Sequence, residues 1–399
     1  MQKPILPQPG SAQPWIQAAS LAAILWVSQP RSAKAEDSLT YKFSNYAETD
    51  HRIRVNSNYV LGQVDFGLET NLKVMGVTDS IAGATPTGAI AAKVSDPVPT
   101  AYMHDYRRAV NAELSHQFKL VNLDVGYGMS TESDFVSRGW SINTVTDLNQ
   151  KNTRLLLGFA GTNDTIKEPI LGWTSQRHKQ GGDFIVGVTQ VTSPDNTLSA
   201  NLTIGRQSGY LNDPYKIVST TMLSLDPGYY YTVPENRPDT RQKQSLLLGA
   251  NHNFADWDGA LDASYRLYHD SFGITAHTVS VGWLQNMGDS FIVEPSLRYY
   301  FQGAADFYHY SLDQAKIVTS LDPGTGETGN GRAPYYSSDY RLSRMRTLDV
   351  GIKLTWKVTS HLKTDLAVDS YSTHGLDHVT PQGAYAQARI ITTGIQYLF

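Results

Sequence analysis

The sequence contains no cysteine. Disulfide bonds, thiol chemistry, cysteine-ligated metals and covalently attached c-type haem are therefore excluded for this chain. After residue 35 the sequence has no apolar run as long as a membrane-spanning helix, which needs about 20 residues. It also lacks a basic stripe, and with a pI near 6.3 nucleic acid is not expected as a partner. Charged residues make up 18% of the chain, which would suit a soluble domain as well as a membrane barrel.

The amino-terminal 35 residues are typical of a secretory signal peptide. An apolar stretch runs from Trp15 to Val27, and Ala33-Lys34-Ala35 has the small-x-small pattern of a cleavage site. Lys3 is the only basic residue before the apolar stretch, so an uncleaved anchor helix is the alternative. At roughly thirteen residues the stretch is short for a bilayer. We predict that residues 1–35 are removed and that residues 36–399 form a single outer-membrane β-barrel domain.

Apolar residues at every second position dominate the rest of the chain, and the helical period is almost absent. From Leu348 to Trp356, for example, apolar residues alternate with polar residues from Asp349 to Lys357. Such segments, about ten residues long and bounded by turn residues, are typical of antiparallel strands in outer-membrane barrels. The fold class that we predict is all-β: a closed antiparallel transmembrane barrel with apolar faces toward lipid and polar faces toward the lumen. A periplasmic or secreted all-β protein is the alternative.

Short and long connections alternate along the chain, as they do in outer-membrane barrels. Short periplasmic turns are predicted near residues 64–67, 119–121, 148–152, 193–196, 255–258, 288–290 and 359–361, and long extracellular links at residues 82–104, 163–182, 209–241, 303–344 and 374–384. With both termini periplasmic the strand number is even, and the segmentation gives about sixteen. Residues 140–148 form the least clear strand, so fourteen is the fallback.

The carboxy-terminus ends on an aromatic residue. Tyr397 and Phe399 end the last alternating segment. A last strand that ends on an aromatic residue is the feature by which the insertion machinery recognises outer-membrane barrels. We therefore predict that these two residues are an insertion signal. Trp140, Trp257, Trp283 and Trp356 fall near predicted strand or turn boundaries. They indicate aromatic girdles at the membrane interfaces, although aromatic residues also favour strands in general.

Several loop segments resemble a known family. They are Ser80 to Gly88, Asn149 to Thr153, Gly209 to Lys216, Pro234 to Pro238, Tyr265-Arg266, His269 to Gly273, Ala304 to Tyr308 and Tyr335 to Ser343. In this order they resemble the uncharacterised domain-of-unknown-function 3570 family of Gram-negative outer-membrane proteins. The resemblance spans essentially the whole mature chain and implies an outer-membrane barrel, without an established activity.

The polar faces of the predicted strands carry charges that are nearly balanced in sign. The candidate lumen-lining residues are Lys42, Arg52, Arg54, Glu69, Lys73, Glu113, Asp262, Arg266, Glu294, Arg298, Asp349 and Lys353. Opposite charges lie four residues apart on one face, as in Glu294 and Arg298, and neighbouring strands can interleave them. A balanced lumen argues against a ring of one sign that would select ions strongly. The same charges can instead pair across strands and stiffen the wall.

The longest predicted loop offers a second candidate site. Its aromatic and acidic residues are Asp306, Phe307, Tyr308, Tyr335, Tyr336 and Asp339. Aromatic rings beside carboxylates can bind carbohydrate, or the loop can fold into the lumen as a constriction. The alternative is a self-packed loop that covers the mouth of the barrel.

No catalytic or metal-binding motif stands out. The candidate catalytic groups are His269-Asp270-Ser271, His104-Asp105 and the pair of Asp306 and His309, but none has a spacing that specifies a nucleophile with its base. His269 and Asp270 also point to opposite faces, as adjacent strand residues do. His374 and His378 would suit a metal only on a helix. We therefore expect no enzyme activity, no metal site and no cofactor.

Two function classes remain open from the sequence. One is a porin-like channel for small polar solutes with weak ion selectivity. The other is a scaffold or sheath for a periplasmic or surface partner, which could be a redox protein. In both, the expected location is the outer membrane of a Gram-negative bacterium, and the expected partners are outer-membrane lipid, lipopolysaccharide and the barrel-insertion machinery.

Overall fold

The structure, a computed structural model, describes residues 37–399 except 51, 92, 94–95, 171–172, 222–230 and 314–333. The predicted signal peptide lies outside the described residues, so its removal stays a prediction. Within the described part of the chain, no helix has the length and apolar character needed to cross a membrane.

Strands make up nearly all of the regular structure. In chain order they are β1 (Ser38–Glu48), β2 (Arg54–Phe66), β3 (Thr70–Pro86), β4 (Thr100–Gln117), β5 (Val121–Thr131), β6 (Phe135–Leu148), β7 (Thr153–Ile170), β8 (Trp173–Ser193), β9 (Asn196–Gly209), β10 (Ile217–Thr220), β11 (Tyr231–Pro234), β12 (Thr240–Phe254), β13 (Gly259–Asp270), β14 (Thr275–Met287), β15 (Phe291–Gln302), β16 (Met345–Lys357), β17 (Leu362–Gly375) and β18 (Gln387–Leu398). Short 3₁₀ turns occupy Asn149–Lys151, Ala255–Trp257, Tyr340–Leu342 and Gln382–Ala384.

Sixteen of these strands close into one antiparallel barrel, and β10 and β11 form a separate two-stranded sheet. Each wall strand pairs with the next wall strand along the chain, and β1 pairs with β18 so that Ser38 lies opposite Leu398. The predicted fold class and the strand number of sixteen are confirmed. The uncertain segment 140–148 lies within β6, so the fallback number of fourteen is wrong.

The two ends of the barrel differ. At the end where β1 begins and β18 ends, the connections are short, and every short turn predicted from the sequence falls between two consecutive strands there. We call this the short-turn end. The opposite end, which we call the long-loop end, carries the connections 87–99, 210–239, 303–344 and 376–386.

One predicted long link is wrong. Residues 163–182 belong almost entirely to β7 and β8, which pair with each other up to Ile170 and Trp173. Gly181 and Gly182 are typical of turns, but here they lie within β8, in register with β7 and β9. The pair β10 and β11, inside the connection 210–239, was not predicted.

The outer face of the wall is apolar. On β16, Leu348, Val350, Ile352, Leu354 and Trp356 are 42 to 53% exposed, while the residues between them face inward and are buried or half-buried. Aromatic rings cluster on this face at the short-turn end. Trp257 stacks on Phe254 with 5.4 Å between ring centres, and Tyr397 contacts Phe399 at 5.0 Å. Large apolar side chains without a protein neighbour on one face are what a lipid-facing wall requires.

Charge on the outer face has one sign. The strand register places seven charged residues of the described wall strands outward, each in the half of its strand nearer the long-loop end: Arg54, Arg108, Arg138, Lys167, Arg206, Arg346 and Arg389. Lys167 is half-buried and the arginines are exposed. Among these outward positions of the described strands, none is acidic. We call this set the basic collar.

Candidate functional site: the paired lumen and the loop plug

Most of the predicted lumen residues face inward, and their charges pair across neighbouring strands. Lys353 Nζ lies 2.7 Å from Glu294 Oε1, and Lys73 Nζ lies 3.3 Å from Glu113 Oε1. Lys42 Nζ lies 3.8 Å from a carboxylate oxygen of Asp365. The first two pairs join residues directly opposite one another on adjacent strands, whereas Lys42 on β1 reaches Asp365 on β17 across the intervening β18. In each pair the fields of the two charges largely cancel within the wall.

Other candidates share this inward face. Arg298 lies directly opposite Asp349 in the register of β15 and β16. Arg266 and Asp262 face inward on β13, with Arg266 half-buried and Asp262 exposed to the lumen. The sequence left open pairing along one strand, as between Glu294 and Arg298, and pairing across neighbouring strands. Glu294 pairs with Lys353, which lies directly opposite on β16, because directly opposed side chains are closer than side chains four positions apart on one strand.

Three candidates do not line the lumen. Arg54 is the first residue of β2 and points outward, in the basic collar. Arg52 lies in the turn after β1, where its guanidinium pairs with Glu48 at 2.7 Å and donates to the carbonyl oxygen of Gly383 at 2.7 Å. Glu69 lies in the exposed turn before β3 at the short-turn end. These placements correct the expectation for all three residues.

Arg54 points outward because the apolar and polar faces of the wall are exchanged near the long-loop end. Near the long-loop end, Val55, Ile81 and Ile390 face inward and are buried in one apolar cluster with Tyr46. The lumen is filled at this level, so apolar residues point inward there and Arg54 points outward. The rule that apolar faces point outward holds only where the lumen contains water.

The lumen is open at one end and filled at the other. Toward the short-turn end, the inward-facing residues Asn251, Asn253 and Asp262 are exposed to solvent. Toward the long-loop end, inward residues such as Asp79 and Asp369 are buried. The barrel therefore holds a polar vestibule that opens at the short-turn end.

Two long loops fill the long-loop end. We call the described parts of the connections 210–239 and 303–344 the loop plug. At its centre lie six charged residues: Asp213, Lys216, Glu235, Arg237, Asp339 and Arg341. Arg237 Nη2 lies 2.8 Å from Asp339, and Arg237 Nε lies 2.7 Å from Glu235. Arg341 pairs with both Asp339 and Asp213 and so joins the two loops.

The pKa values of these carboxyl groups follow from their neighbours. Burial raises the pKa of Asp213, but Arg341 and Lys216 outweigh burial and hold the pKa below its usual range. The same cations, with Arg237, lower the pKa of Asp339 strongly against the effect of burial. Burial raises the pKa of Glu235, and Arg237 offsets this only in part. Both aspartates are therefore ionised partners of the cations at neutral pH.

Lys216 is the most deeply buried cation of the loop plug. Burial lowers the pKa of its ammonium group, while Asp339 acts in the opposite direction. The ammonium donates to the carbonyl oxygen of Pro86, at the end of β3, and lies 5.6 Å from the ring centre of Tyr340. It thus ties the connection 210–239 to the wall.

Backbone contacts also hold the loops together. Ser338 Oγ donates to the carbonyl oxygen of Ile217 at 2.7 Å, and the Ile217 amide donates to the carbonyl oxygen of Thr87 at 3.0 Å. Gly88, with φ of 91°, approaches Ser338 so closely that a Cβ atom would collide with its hydroxyl. Only glycine fits this position without strain.

The loop plug reaches the wall on several sides. Tyr215 donates to Asp134 in the connection between β5 and β6, and Gln302 of β15 donates to the carbonyl oxygen of Ser343 at 2.7 Å. The connection 376–386 contributes Tyr385, whose hydroxyl lies 2.7 Å from Ser343 Oγ. With Lys216 at β3, these contacts distribute around the barrel, so the loop plug covers the mouth.

The predicted aromatic and acidic loop residues divide into two groups. Asp306, Phe307 and Tyr335 line one recess of about 620 Å³, together with His309. Tyr308, Tyr336 and Asp339 lie elsewhere: the Tyr308 hydroxyl contacts Thr380, the Tyr336 backbone pairs with Asn236, and Asp339 belongs to the ion cluster. The recess opens at the rim, beside Thr240 and Gln242 of β12, and not into the vestibule.

Of the six charged residues at the centre of the loop plug, only Asp339 is among the candidate site residues that the sequence indicates. A signal was present, because three segments that carry the family resemblance contain all six: Gly209 to Lys216, Pro234 to Pro238 and Tyr335 to Ser343. No spacing within these segments indicates which charges meet.

His269 and Asp270 lie on opposite faces of β13 and do not form a catalytic pair, whereas Asp306 and His309 line the same recess. Asp270 is buried and faces inward, where it pairs with Arg241 and accepts the amide hydrogens of Phe272 and Ile274. His269 faces outward and contacts Thr275. His374 likewise lies on the outer face of β17, whereas His378 lies in the connection 376–386.

Three acidic residues come together in a place that the sequence did not indicate. Carboxylate oxygens of Asp105, Glu132 and Asp134 all lie within 4.8 Å of one another. Glu132 is buried, and burial raises the pKa of its carboxyl to about 8. This group lies at the long-loop end, where β4 faces the connection between β5 and β6.

A closed sixteen-stranded antiparallel barrel with an apolar outer face and a polar lumen has the architecture of outer-membrane proteins. The chain belongs to the family described as "Protein of unknown function (DUF3570)", whose sequence profile matches residues 16–178 and 168–397. The resemblance seen in the sequence is thereby confirmed. No curated protein matches this chain.

Several solved barrels are similar in fold. A bacterial polysaccharide outer membrane secretin has a TM-score of 0.48 and 7% identity over 91% of this chain and 98% of its own. The siderophore receptor PirA from Acinetobacter baumannii has a TM-score of 0.43 and 9% identity over 86% of this chain and 54% of its own. The CymD monoaromatic hydrocarbon channel has a TM-score of 0.39 and 9% identity over 92% and 89%. These values are too low to carry over a function.

Proposed function

We propose that this protein is a porin-like outer-membrane channel for small polar solutes, with weak ion selectivity and with access set by the loop plug. Transport, and not catalysis, is the proposed role. The observation that carries the proposal is the polar vestibule, whose exposed residues Asn251, Asn253 and Asp262 line a lumen open at the short-turn end. A sixteen-stranded barrel is too wide for wall side chains alone to fill.

Weak selectivity follows from the pairing of lumen charges. Lys353 with Glu294 and Lys73 with Glu113 place opposite charges side by side on the wall. A permeating ion therefore meets pairs of opposite charges. A ring of charges of one sign, which would select strongly between cations and anions, is not what these pairs form.

Planar-bilayer recording tests the proposal. The purified full-length mature barrel should give discrete conductance steps, and its reversal potential in a tenfold salt gradient should stay well below the ideal value of about 59 mV for one ion sign. Near-ideal selectivity would contradict weak selectivity. A membrane-inserted barrel that gives no steps, with or without substitutions that loosen the loop plug, would contradict the channel itself.

A scaffold for a periplasmic partner is the second candidate. It is favoured by the closed mouth, because a barrel that is covered at one end and open at the other presents its vestibule to one side only. Crosslinking in whole cells distinguishes the two candidates. A scaffold would retain one partner in stoichiometric amount and stay silent in the bilayer, whereas a channel would conduct without any partner.

We also propose that the barrel lies in the outer membrane of a Gram-negative bacterium, with the short-turn end toward the periplasm and lipopolysaccharide as a partner of the basic collar. The collar lies near the long-loop end, and its arginines are exposed on the lipid-facing side. Phosphate groups are bound well by arginine, and an outward cation band without carboxylates suits an anionic leaflet.

Lipid retention tests the collar. Changing Arg138, Arg206 and Arg346 together to Gln should lower the lipopolysaccharide that co-purifies with the barrel severalfold. A matched control changes inward-facing arginines, Arg154 and Arg298, to Gln and should leave the retained lipid unchanged. Equal lipid content in the two variants would refute the collar as the contact surface.

A further inference from the structure

Three carboxylates from two parts of the wall meet at the long-loop end. Asp105 lies in β4, and Glu132 and Asp134 lie in the connection between β5 and β6. One carboxylate oxygen from each residue lies within 4.8 Å of the other two. All three carboxyl groups can be ionised at this spacing only if a cation lies between them, because three negative charges so close repel one another strongly.

Glu132 carries the strongest sign of a missing partner. Its residue is only 5% exposed, and neither carboxylate oxygen has a hydrogen-bond donor within the described part of the chain. Buried carboxylates are normally paired or hydrogen-bonded, because an unpaired buried charge is costly. The Glu132 side chain is therefore an unsatisfied ligand directed at two further carboxylates.

The neighbouring cations have other partners. Arg107 is held by Asp79, in a buried ion pair on β3 and β4. The Lys167 ammonium donates to the carbonyl oxygen of Ser133 at 3.3 Å. Arg107 lowers the pKa of Glu132, but burial outweighs this effect. The protein thus supplies too little positive charge at the cluster to offset the burial of Glu132.

The backbone around the cluster is fixed before any ligand binds. The Glu132 amide donates to the carbonyl oxygen of Phe135 at 2.7 Å, and the Lys167 amide donates to that of Asp134 at 2.7 Å. Asp105 Oδ1 accepts the Tyr106 amide at 2.7 Å and the Ser133 amide at 3.2 Å. Strand and turn contacts that do not involve a metal therefore hold the backbone of Glu132 and Asp134 and the carboxylate of Asp105.

We propose that Asp105, Glu132 and Asp134 bind one calcium ion at the long-loop end of the barrel. The ligand set contains only carboxylate oxygens, which hard divalent cations prefer, and no nitrogen or sulfur ligand for a transition metal. Calcium accepts irregular sets of oxygen ligands and completes its shell with water, whereas magnesium demands a near-ideal octahedron. Half-buried Asp105 and Asp134 leave room for water ligands.

The site has a direct link to the loop plug. The Tyr215 hydroxyl donates to Asp134 Oδ2, and Tyr215 is next to Lys216 of the central ion cluster. Calcium that fixes Asp134 also fixes the acceptor of this bond and thereby one attachment of the connection 210–239. The calcium site itself does not depend on whether the barrel conducts.

Calorimetry on the refolded barrel tests the site. The full-length mature chain is refolded in detergent free of lipopolysaccharide, treated with a chelator and titrated with calcium chloride. We expect one calcium ion per chain. Glu132→Gln, which keeps the shape of the side chain, and Asp105→Asn should each weaken binding about tenfold or more, because affinity follows the ligand charge. Asp239→Asn, an exposed carboxylate in the connection 210–239, should leave binding unchanged.

Other outcomes would overturn the proposal. Calcium uptake that is the same in wild type, Glu132→Gln and Asp105→Asn would place the ion elsewhere, and no uptake by the wild type would remove the site. Magnesium binding as tight as calcium binding would refute the assignment to calcium. If Glu132→Gln does not refold, two measurements remain. One is calcium binding by Asp105→Asn, and the other is calcium-dependent protection of the wild-type connection 210–239 from protease.

Discussion

Arg341 and Asp213 form an ion pair that joins the two long loops of the barrel. Asp213 follows β9 and Arg341 precedes β16, so the pair links loops that leave the wall at two different strands. Arg341 also pairs with Asp339. Its removal would leave two buried aspartates without their main cation, and a buried ion pair broken in this way costs about 3 to 5 kcal/mol.

We therefore predict that Arg341→Ala loosens the loop plug while the wall remains folded. Single-channel conductance should rise severalfold, and heat-dependent gel mobility should show an intact barrel. Arg344→Gln is the matched control, since Arg344 is exposed three residues further on, and it should leave conductance at the wild-type value. Equal conductance in both variants would mean that the loop plug does not limit permeation.

Charge reversal in the lumen should create selectivity that the wild type lacks. In Glu294→Lys, two cations would face each other where Glu294 now pairs with Lys353, and the reversal potential should shift toward anion preference. The swapped double variant, Glu294→Lys with Lys353→Glu, restores the pair and should return the potential to the wild-type value. A double variant that stays anion-selective would argue against local pairing as the cause of weak selectivity.

The loop plug should be resistant to mild acid. The pKa values of Asp213 and Asp339 are lowered in the folded protein, so their stabilising effect is complete above the unfolded value of about 3.9. It is lost only as the pH falls through the lower folded values. Glu235, whose pKa is raised, acts in the opposite direction because it takes up its proton more readily when folded.

We expect conductance and protease resistance of the connection 303–344 to stay constant from pH 7 to about pH 4 and to change only in stronger acid. Asp339→Asn should weaken this acid transition, because only Asp213 then contributes to it, while Asp239→Asn should preserve it. Opening between pH 7 and pH 5 in the wild type would show that other groups control the loop plug.

The terminal aromatic pair gives a prediction about assembly. Tyr397 and Phe399 face outward at the short-turn end, with their rings 5.0 Å apart. If they form the insertion signal, Phe399→Ala should lower the amount of folded barrel in cells several-fold without changing refolding in detergent. Leu398→Ala, which alters the inward-facing neighbour, should have a much smaller effect. Equal loss in both variants would indicate a general requirement for the last strand.

The wall could be predicted from the sequence because lipid and water impose a two-residue period on it. Leu348 to Trp356 show this period over most of β16, and the turn at 288–290 is marked by Gly288 and Asp289. The two-residue period does not hold where the lumen is filled by protein, because water is then absent from the inner face of the wall. Beside the loop plug, Val55 packs inward and Arg54 points outward. The assignment of apolar residues to the outer face, which holds in the rest of the wall, does not apply there.

The loop contacts could not be predicted in this way. Lys216 meets the carbonyl oxygen of Pro86 across 130 positions of sequence, and no period relates them. Asp105 and Glu132 are similarly brought together by the register of β4 and β5, although the sequence gives them no ligand spacing. Such contacts are tertiary contacts that depend on how the loops pack against the folded barrel wall. Local propensity carries no information about them.

The seam between β1 and β18 has a practical consequence for engineering. Its paired residues run without a break from Ser38 opposite Leu398 to Glu48 opposite Ala388, as in any other neighbouring pair of strands. The amide of Phe399 also donates to the carbonyl oxygen of Asp37 at 2.9 Å, so the two strand ends are within reach of a short peptide linker. A circular permutant that joins these ends and is opened at Asp289 would keep every hydrogen-bonded ladder of the wall.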